Sequence, residues 1–170
     1  MKSVIIPEGL LDVVPLELID TWEKLQTFSA DLLKLKEDVI DSREYLLKGA
    51  RQDGIDVYAT IQDNEKFVVI QCKRKDYISP SELENIFNEF LSKDFAHKTT
   101  KFIICTTFDL RRKSHEQKIT GARKRLFDNE IDLVIWDIEG INRELRLNPT
   151  LGKIDLVARY FTHEIAKRFY

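Results

Sequence analysis

The sequence contains little of what marks several common protein classes. Its 170 residues include two cysteines, four prolines and six glycines. Cys72 and Cys105 each lie inside an apolar run, and two such residues are too few for a disulfide framework, so we expect free thiols and a cytoplasmic protein. No repeat, low-complexity tract or glycine- and serine-rich linker divides the chain, which predicts a single domain over residues 1–170.

A long apolar run is also absent. The N-terminal apolar stretch is short and is interrupted by Pro7, Glu8, Asp12 and Pro15, whereas a membrane-spanning helix takes about 20 consecutive apolar residues. The start of the sequence is therefore typical of neither a signal peptide nor a spanning helix. We expect a soluble protein with no membrane partner.

The chain has no large excess of one charge. Its 27 lysines and arginines face 29 aspartates and glutamates, a formal net charge of -2, whereas nucleic-acid-binding domains commonly have a strongly basic balance. Any basic surface must therefore be local. Positive residues cluster at residues 73–75 and 111–125, and acidic residues concentrate elsewhere, as in residues 8–44.

Apolar periodicity predicts the first half of the fold. Residues 16–36 carry apolar side chains at the three-and-four spacing of an amphipathic helix. Residues 55–61 and 66–72 are rich in β-branched and aromatic types and are joined by a polar turn, which predicts a β-hairpin. Ser79 and Glu82 then have the spacing of a capping box, which predicts a helix to about residue 93.

The second half alternates between buried strands and helices. Continuous apolar runs predict strands at residues 101–108 and 130–138, separated by a basic helix at 111–129, and an amphipathic pattern predicts a terminal helix at 151–169. The whole order predicts an α/β protein. We expect a mixed β-sheet that has an antiparallel pair at one side and is flanked by helices on both faces.

Three polar side chains are expected to converge on the hairpin. Asp56 begins one strand, while Gln71 and Lys73 end its antiparallel partner and project from the same face. A carboxylate and a carbonyl oxygen are ligands that Mg²⁺ prefers, and a lysine beside them could orient or deprotonate water or stabilise a phosphate. Together they suggest phosphodiester hydrolysis, although each residue alone is typical of a solvated turn or strand end.

These residues carry a family resemblance. "DGIDVYA" and "VVIQCKR" resemble the two half-motifs of PD-(D/E)xK nucleases, in the Mrr-like restriction endonuclease branch where glutamine replaces the acidic residue. The resemblance covers residues 16–110 most closely and is one of fold beyond them. It implies a restriction-endonuclease-like fold and Mg²⁺-dependent DNA cleavage, with Mn²⁺ able to substitute. It also implies that Asp56 and Gln71 are metal-side ligands and that Lys73 is the catalytic lysine.

Two further residues enter through the resemblance. In such nucleases a glutamate of the first helix often completes the metal site, and Glu23 stands where that residue would fall. Glu23 also fits a solvated helix charge beside Lys24. Gln52, in the segment before Asp56, is either a site residue or part of a turn; the branch usually has glycine there.

The basic segments predict how DNA would be held. Five cationic residues are expected to contact phosphates: Arg74, Lys75, Arg111, Arg112 and Lys113. The absence of a base-reading motif predicts little sequence specificity. The basic helix is equally compatible with an ordinary solvated face.

The predicted function is an endonuclease acting on duplex DNA, of the kind found as effector modules in bacterial restriction or antiphage defence. Cutting both strands favours a homodimer or higher oligomer. Because the chain contains no P-loop, an ATPase or sensor would belong to another domain or subunit. Two alternatives stay open, a catalytically silent nucleic-acid-binding module and an RNA- or junction-directed nuclease of the same fold.

Overall fold

Strands and helices alternate along most of the chain. The computed structural model describes residues 10–44 and 55–170. Within these ranges the helices are α1 (Trp22–Lys34), α2 (Pro80–Leu91), α3 (Lys113–Asp128), α4 (Ile138–Arg146), α5 (Leu151–Tyr160) and α6 (His163–Phe169). The strands are β1 (Val39–Glu44), β2 (Val57–Ile61), β3 (Phe67–Lys73), β4 (Thr99–Thr106) and β5 (Asp132–Trp136), and short 3-10 helices span Leu16–Leu18 and Asp94–Lys98.

The strands form one mixed sheet in the order β1-β2-β3-β4-β5. The pairs β1–β2 and β2–β3 are antiparallel, whereas β3–β4 and β4–β5 are parallel. The α/β class and the mixed sheet predicted from the sequence are therefore confirmed. The predicted hairpin is present as β2 and β3, and the predicted cap of α2 is present because Ser79 Oγ accepts a hydrogen bond of 3.0 Å from Glu82 N.

Three features differ from the sequence prediction. Strand β1 was not predicted, because its only fully buried residue is the polar Ser42 while its isoleucine, Ile40, is 69% exposed. The terminal helix predicted at residues 151–169 is two helices, since Thr162 Oγ1 accepts a hydrogen bond of 3.0 Å from Ile165 N and starts α6 anew. Helix α4 was not predicted either, and it begins where the predicted strand at residues 130–138 was extended too far.

The sheet lies between two helical layers, and each has its own core. On one face α1, α4, α5 and α6 cover Ile70 and Cys72 of β3, and on the other α2 and α3 cover Val69. Because side chains alternate along a strand, Gln71 and Lys73 project toward the α2 and α3 side. No helix in the described ranges is both long enough and apolar enough to cross a membrane.

The carboxyl ends of β3, β4 and β5 meet at one edge of the sheet, and a buried aspartate fixes the loop that follows β4. Asp137 Oδ1 accepts a hydrogen bond of 3.0 Å from Gly140 N, which caps α4. Its Oδ2 accepts another of 3.0 Å from Leu110 N. The loop that leads into basic α3 is therefore tied to the start of α4.

Gly140 is the tightest position in this capping turn. A Cβ there would lie 2.0 Å from the carbonyl oxygen of Ile135. Gly140→Ala is therefore expected to destabilise the protein by about 1–3 kcal/mol, because the backbone must shift, and to lower Tm by roughly 2–12 °C in a domain of this size. Thermal unfolding followed by circular dichroism measures the change.

Gly121, in the middle of α3, is the matched control. A Cβ there would meet its nearest atom, Arg125 Nη1 at the end of a flexible side chain, at 3.4 Å. Gly121→Ala should leave stability unchanged or raise it by up to about 1 kcal/mol, since alanine is the better helix former. Equal Tm values for the two variants would contradict the steric role of Gly140.

Candidate functional site

A cavity of about 400 Å³ lies where β2 begins and β3 ends. Its described lining is Trp22, Ile55, Asp56, Gln71, Cys72, Lys73, Arg74, Lys75 and Glu89. The structure thus brings together Asp56, Gln71 and Lys73, the three residues that the sequence placed at neighbouring strand ends. Arg74 and Lys75, predicted to contact DNA, line the same cavity.

Three hydrogen bonds to described residues help to hold Asp56 in place. Its backbone N–H donates to Ile70 O at 2.8 Å, which extends the ladder between β2 and β3. Its backbone carbonyl accepts from Gln26 Nε2 at 3.2 Å, and its Oδ2 accepts from Cys72 N at 2.7 Å. A carboxylate can accept several hydrogen bonds, and these contacts fix its orientation at the cavity.

Gln71 has an unusual environment for a buried amide. Its side chain is 8% exposed, and its Oε1 has no hydrogen-bond partner among the described residues. A buried polar oxygen that lacks a partner costs about 1–3 kcal/mol, so native proteins seldom keep one without a reason. Since Gln71 lines the cavity beside Asp56, a ligand in the cavity would supply the missing partner.

The oxygen atoms of Asp56 and Gln71 fit a hard cation. Mg²⁺ is usually held by one or two carboxylates, with water and substrate phosphate completing its shell, so one carboxylate and one amide oxygen suffice as the protein's share. The described residues contain no cluster of three or more histidine, cysteine, aspartate or glutamate side chains able to hold a metal. Carboxylate and amide oxygens are ligands that Mg²⁺ prefers, whereas zinc sites are built mainly from thiolates and imidazoles.

Cys72 does not add a sulfur ligand. Its thiol lies on the α1 side of the sheet, 3.3 Å from Ser29 Oγ. Burial raises the pKa of the Cys72 thiol well above its ordinary value, and neighbouring Cys105 raises it further. The thiol therefore stays protonated, and what Cys72 contributes to the site is its backbone N–H.

The three cations at residues 73–75 are not equivalent. Arg74 Nε donates to Ile19 O at 2.7 Å, and Lys75 Nζ lies 2.6 Å from Glu82 Oε1. Lys73 makes no ion pair with any residue that the structure describes. Lys73 is half-buried, so its charge is the one of the three that is left to act on a ligand in the cavity.

Glu23 is placed differently from its two proposed co-ligands. It is exposed in the first turn of α1 and is absent from the described lining of the cavity. The residues of α1 that reach the site are Trp22, which lines the cavity, and Gln26, which donates a hydrogen bond to the carbonyl of Asp56. Gln52 lies outside the described residues.

Sequence reasoning missed three residues of this site. Trp22 and Gln26 are one helical turn apart and so share a face of α1. Gln26 is 3% exposed, and a polar residue on the apolar face of the helix was the signal that could have identified it. Glu89 lines the cavity from α2. No feature of the sequence pointed to Glu89, because an exposed helix glutamate is ordinary.

The second basic cluster, Arg111, Arg112 and Lys113, lies outside the described cavity lining, after the end of β4. Lys73 and Thr106 are register partners, so this cluster follows the strand next to the site. Arg111 is engaged by Asp109 at 2.8 and 2.9 Å, and these hydrogen bonds raise the pKa of its guanidinium. Arg112 lies over the Phe108 ring at 5.3 Å, and Lys113 is exposed.

Comparison with known proteins assigns no family. No family model matches the chain, and neither do any curated protein or solved structure. The functional case therefore depends on the geometry of the cavity.

Gln71 and Gln26 offer a direct test of which buried amide is structural. Gln71→Leu removes no hydrogen bond to a described residue, so Tm should stay level or rise. Gln26→Leu leaves the Asp56 carbonyl without its donor and should cost about 1–3 kcal/mol, a fall of roughly 2–12 °C. Calorimetry measures the Tm of both variants. A similar fall in Tm for Gln71→Leu would show that the Gln71 amide has a structural partner.

Proposed function

We propose that this protein is a metal-dependent DNA endonuclease with a restriction-endonuclease-like fold of the Mrr-like type. The observation that carries the proposal is that one cavity is lined by Asp56, by Gln71, whose buried Oε1 has no partner among the described residues, and by Lys73, which has no described ion pair. A carboxylate, a carbonyl oxygen and an ammonium group in one cleft are the components that phosphodiester hydrolysis needs.

Asp56 and Gln71 are the proposed metal ligands. Asp56 and Gln71 would hold Mg²⁺, which when bound supplies Lewis-acid stabilisation of the phosphate charge. The hydrogen bond from Cys72 N keeps the Asp56 carboxylate against β3, so the site is preorganised. Glu23 remains a proposed additional ligand, and its exposed position in the first turn of α1 would require it to turn toward the cavity.

Lys73 is proposed to act on the attacking water and on the phosphate. In hydrolysis the water oxygen bonds to phosphorus, one phosphorus–oxygen ester bond breaks, and a proton ends on the leaving oxygen. An ammonium group at the cavity orients the water and offsets the negative charge that grows on the phosphate. Because Lys73 is not engaged by a described carboxylate, its charge is available for this role.

DNA would be held through its phosphates. Arg112 and Lys113 are exposed beyond the end of β4, and Arg74, Lys75 and Arg111 add charge although each has an intramolecular partner. Backbone contacts of this kind position duplex DNA without reading its sequence, so little sequence specificity is expected. Gln52 is proposed as a further contact.

The biological setting is proposed by resemblance. A non-specific nuclease in the cytoplasm would damage its host, so we expect a bacterial restriction or antiphage effector whose activity depends on assembly. A homodimer or higher oligomer would bring two sites to opposite strands. A sensor or ATPase domain or subunit would control it.

Lys73→Ala tests the catalytic assignment. Cleavage of supercoiled plasmid with Mg²⁺ should fall by about 10²–10³ in rate, since one preorganised charged group is worth that much. Binding to duplex DNA should change little, because affinity is spread over many phosphate contacts. Gel assays of nicking and filter-binding assays measure the two effects.

Lys75→Ala is the matched control, because Lys75 lines the same cavity but is paired with Glu82. It should retain most of the cleavage rate and a similar Tm. Wild-type cleavage by Lys73→Ala, or an equal loss in both variants, would contradict the assignment.

The metal assignment predicts that cleavage requires Mg²⁺ or Mn²⁺ and stops in excess EDTA. Asp56→Asn should weaken Mn²⁺ binding, as followed by electron paramagnetic resonance, because an amide attracts a cation less than a carboxylate does. Asp31→Asn, which alters an α1 carboxylate engaged with Tyr160, should bind Mn²⁺ normally. Full activity in EDTA would refute the metal mechanism.

A further inference from the structure

Trp22 is the feature of the cavity that phosphodiester hydrolysis alone does not use. It is the first residue of α1 and one of two tryptophans in the chain. The ring is half-buried: part of it packs against the α1-side core, and the side chain also lines the cavity that contains Asp56, Gln71 and Lys73. A broad aromatic surface at a phosphate site is suited to a planar partner.

The composition of the cavity wall matches one chemical class of ligand. An aromatic ring binds a nucleobase by stacking, and cations bind its phosphate, as in single-strand binding grooves. Here Trp22 shares the wall with Lys73, Arg74 and Lys75. The cavity volume of about 400 Å³ is near the lower end of the range for small-ligand pockets, about 300–1,000 Å³. Such a volume suits a single nucleotide and not a double helix.

The position of Trp22 on the wall of the cavity also limits the state of the base. In a duplex the bases are stacked and paired, so a ring within a cavity reaches a base only after that nucleotide has left the stack. Leaving the stack costs a few kcal/mol in a paired duplex and least where the base is already unpaired. A site of this shape therefore favours a strand whose base is already free.

We propose that the cavity takes one unpaired nucleotide, with its base stacked on Trp22 and its phosphate facing Lys73. The preferred substrate is then a strand with an unpaired base at the cleavage position, as in a single strand, a flap or a bubble. The inference rests on the proposed function, because that function brings nucleic acid to this cavity. It adds Trp22 as the residue that selects among nucleic-acid structures.

Tryptophan fluorescence gives a readout that needs no cleavage. In EDTA, titration with a short oligothymidylate should quench the emission of wild-type protein. Trp136 is 1% exposed in the core, so the quenching should come from Trp22 and should vanish in Trp22→Phe. The same strand made with abasic residues keeps the phosphates and removes the bases; it should quench little and bind about tenfold more weakly.

Substitution separates stacking from charge. Trp22→Leu should bind oligothymidylate about tenfold more weakly, keep the salt dependence of wild-type binding, and no longer distinguish it from the abasic strand. Phe127→Leu is the control, because Phe127 is a 70% exposed aromatic residue beside Lys101 and Asp132, at the start of β4 and β5. It should bind as wild type does.

Each outcome supports or overturns the inference that a base stacks on Trp22. Quenching by the normal strand with weaker binding of the abasic strand supports the inference, and these wild-type measurements hold even if Trp22→Leu does not fold. Equal binding of normal and abasic strands, or no quenching by the normal strand, overturns it. Because the measurements are made in EDTA, they are independent of the nuclease. If the protein stacks bases but never cleaves DNA with Mg²⁺, the proposed nuclease function is wrong and the inference about base stacking still stands.

Discussion

The register between β2 and β3 is the constraint on which the site depends. Val57 is paired with Ile70, so Asp56 falls next to the end of β3, where its N–H reaches Ile70 O and its carboxylate receives the N–H of Cys72. Side chains alternate along a strand, so a slip of one residue would turn Gln71 and Lys73 into the α1-side core. The apolar residues that fill that core, Ile70 and Cys72, therefore also hold the polar residues in the cavity.

Placing Gln71 in the buried part of the sheet has an energetic cost. Gln71 lies between Ile70 and Cys72, which are both buried in the α1-side core, and its Oε1 lacks a described partner at a cost of about 1–3 kcal/mol. Local exceptions to polar satisfaction are expected where function and stability make different demands. The two flanking cores and the parallel partner β4 make β3 a central strand, and the burial of apolar residues on both of its faces offsets that cost.

Much of the fold could be predicted because its signals are local. The hairpin, α2 and the buried strands follow from β-branched runs and a capping box. Strand β1 gave no such signal, since its pairing with β2 is made by the backbone and its apolar Ile40 faces solvent. The break at Thr162 was hidden because apolar periodicity continues from α5 into α6. In the site, spacing predicted the convergence of Asp56, Gln71 and Lys73, but contacts between helix and strand, such as Gln26 to Asp56, are set by tertiary packing.

Helix α1 links the parts of the cavity. Gln26 ties it to Asp56, while Arg74, which follows β3, donates to the carbonyl of Ile19 just before the helix. The start of α1 is thus anchored to both strands of the hairpin, and Trp22 lies between these two anchors along the chain. Because Arg74 is used in this way and Lys75 is paired with Glu82, the three consecutive cations do not act as one patch. The slightly negative net charge of -2 then matters little, since the charge that faces the cavity is set by which cations have no ion pair among the described residues.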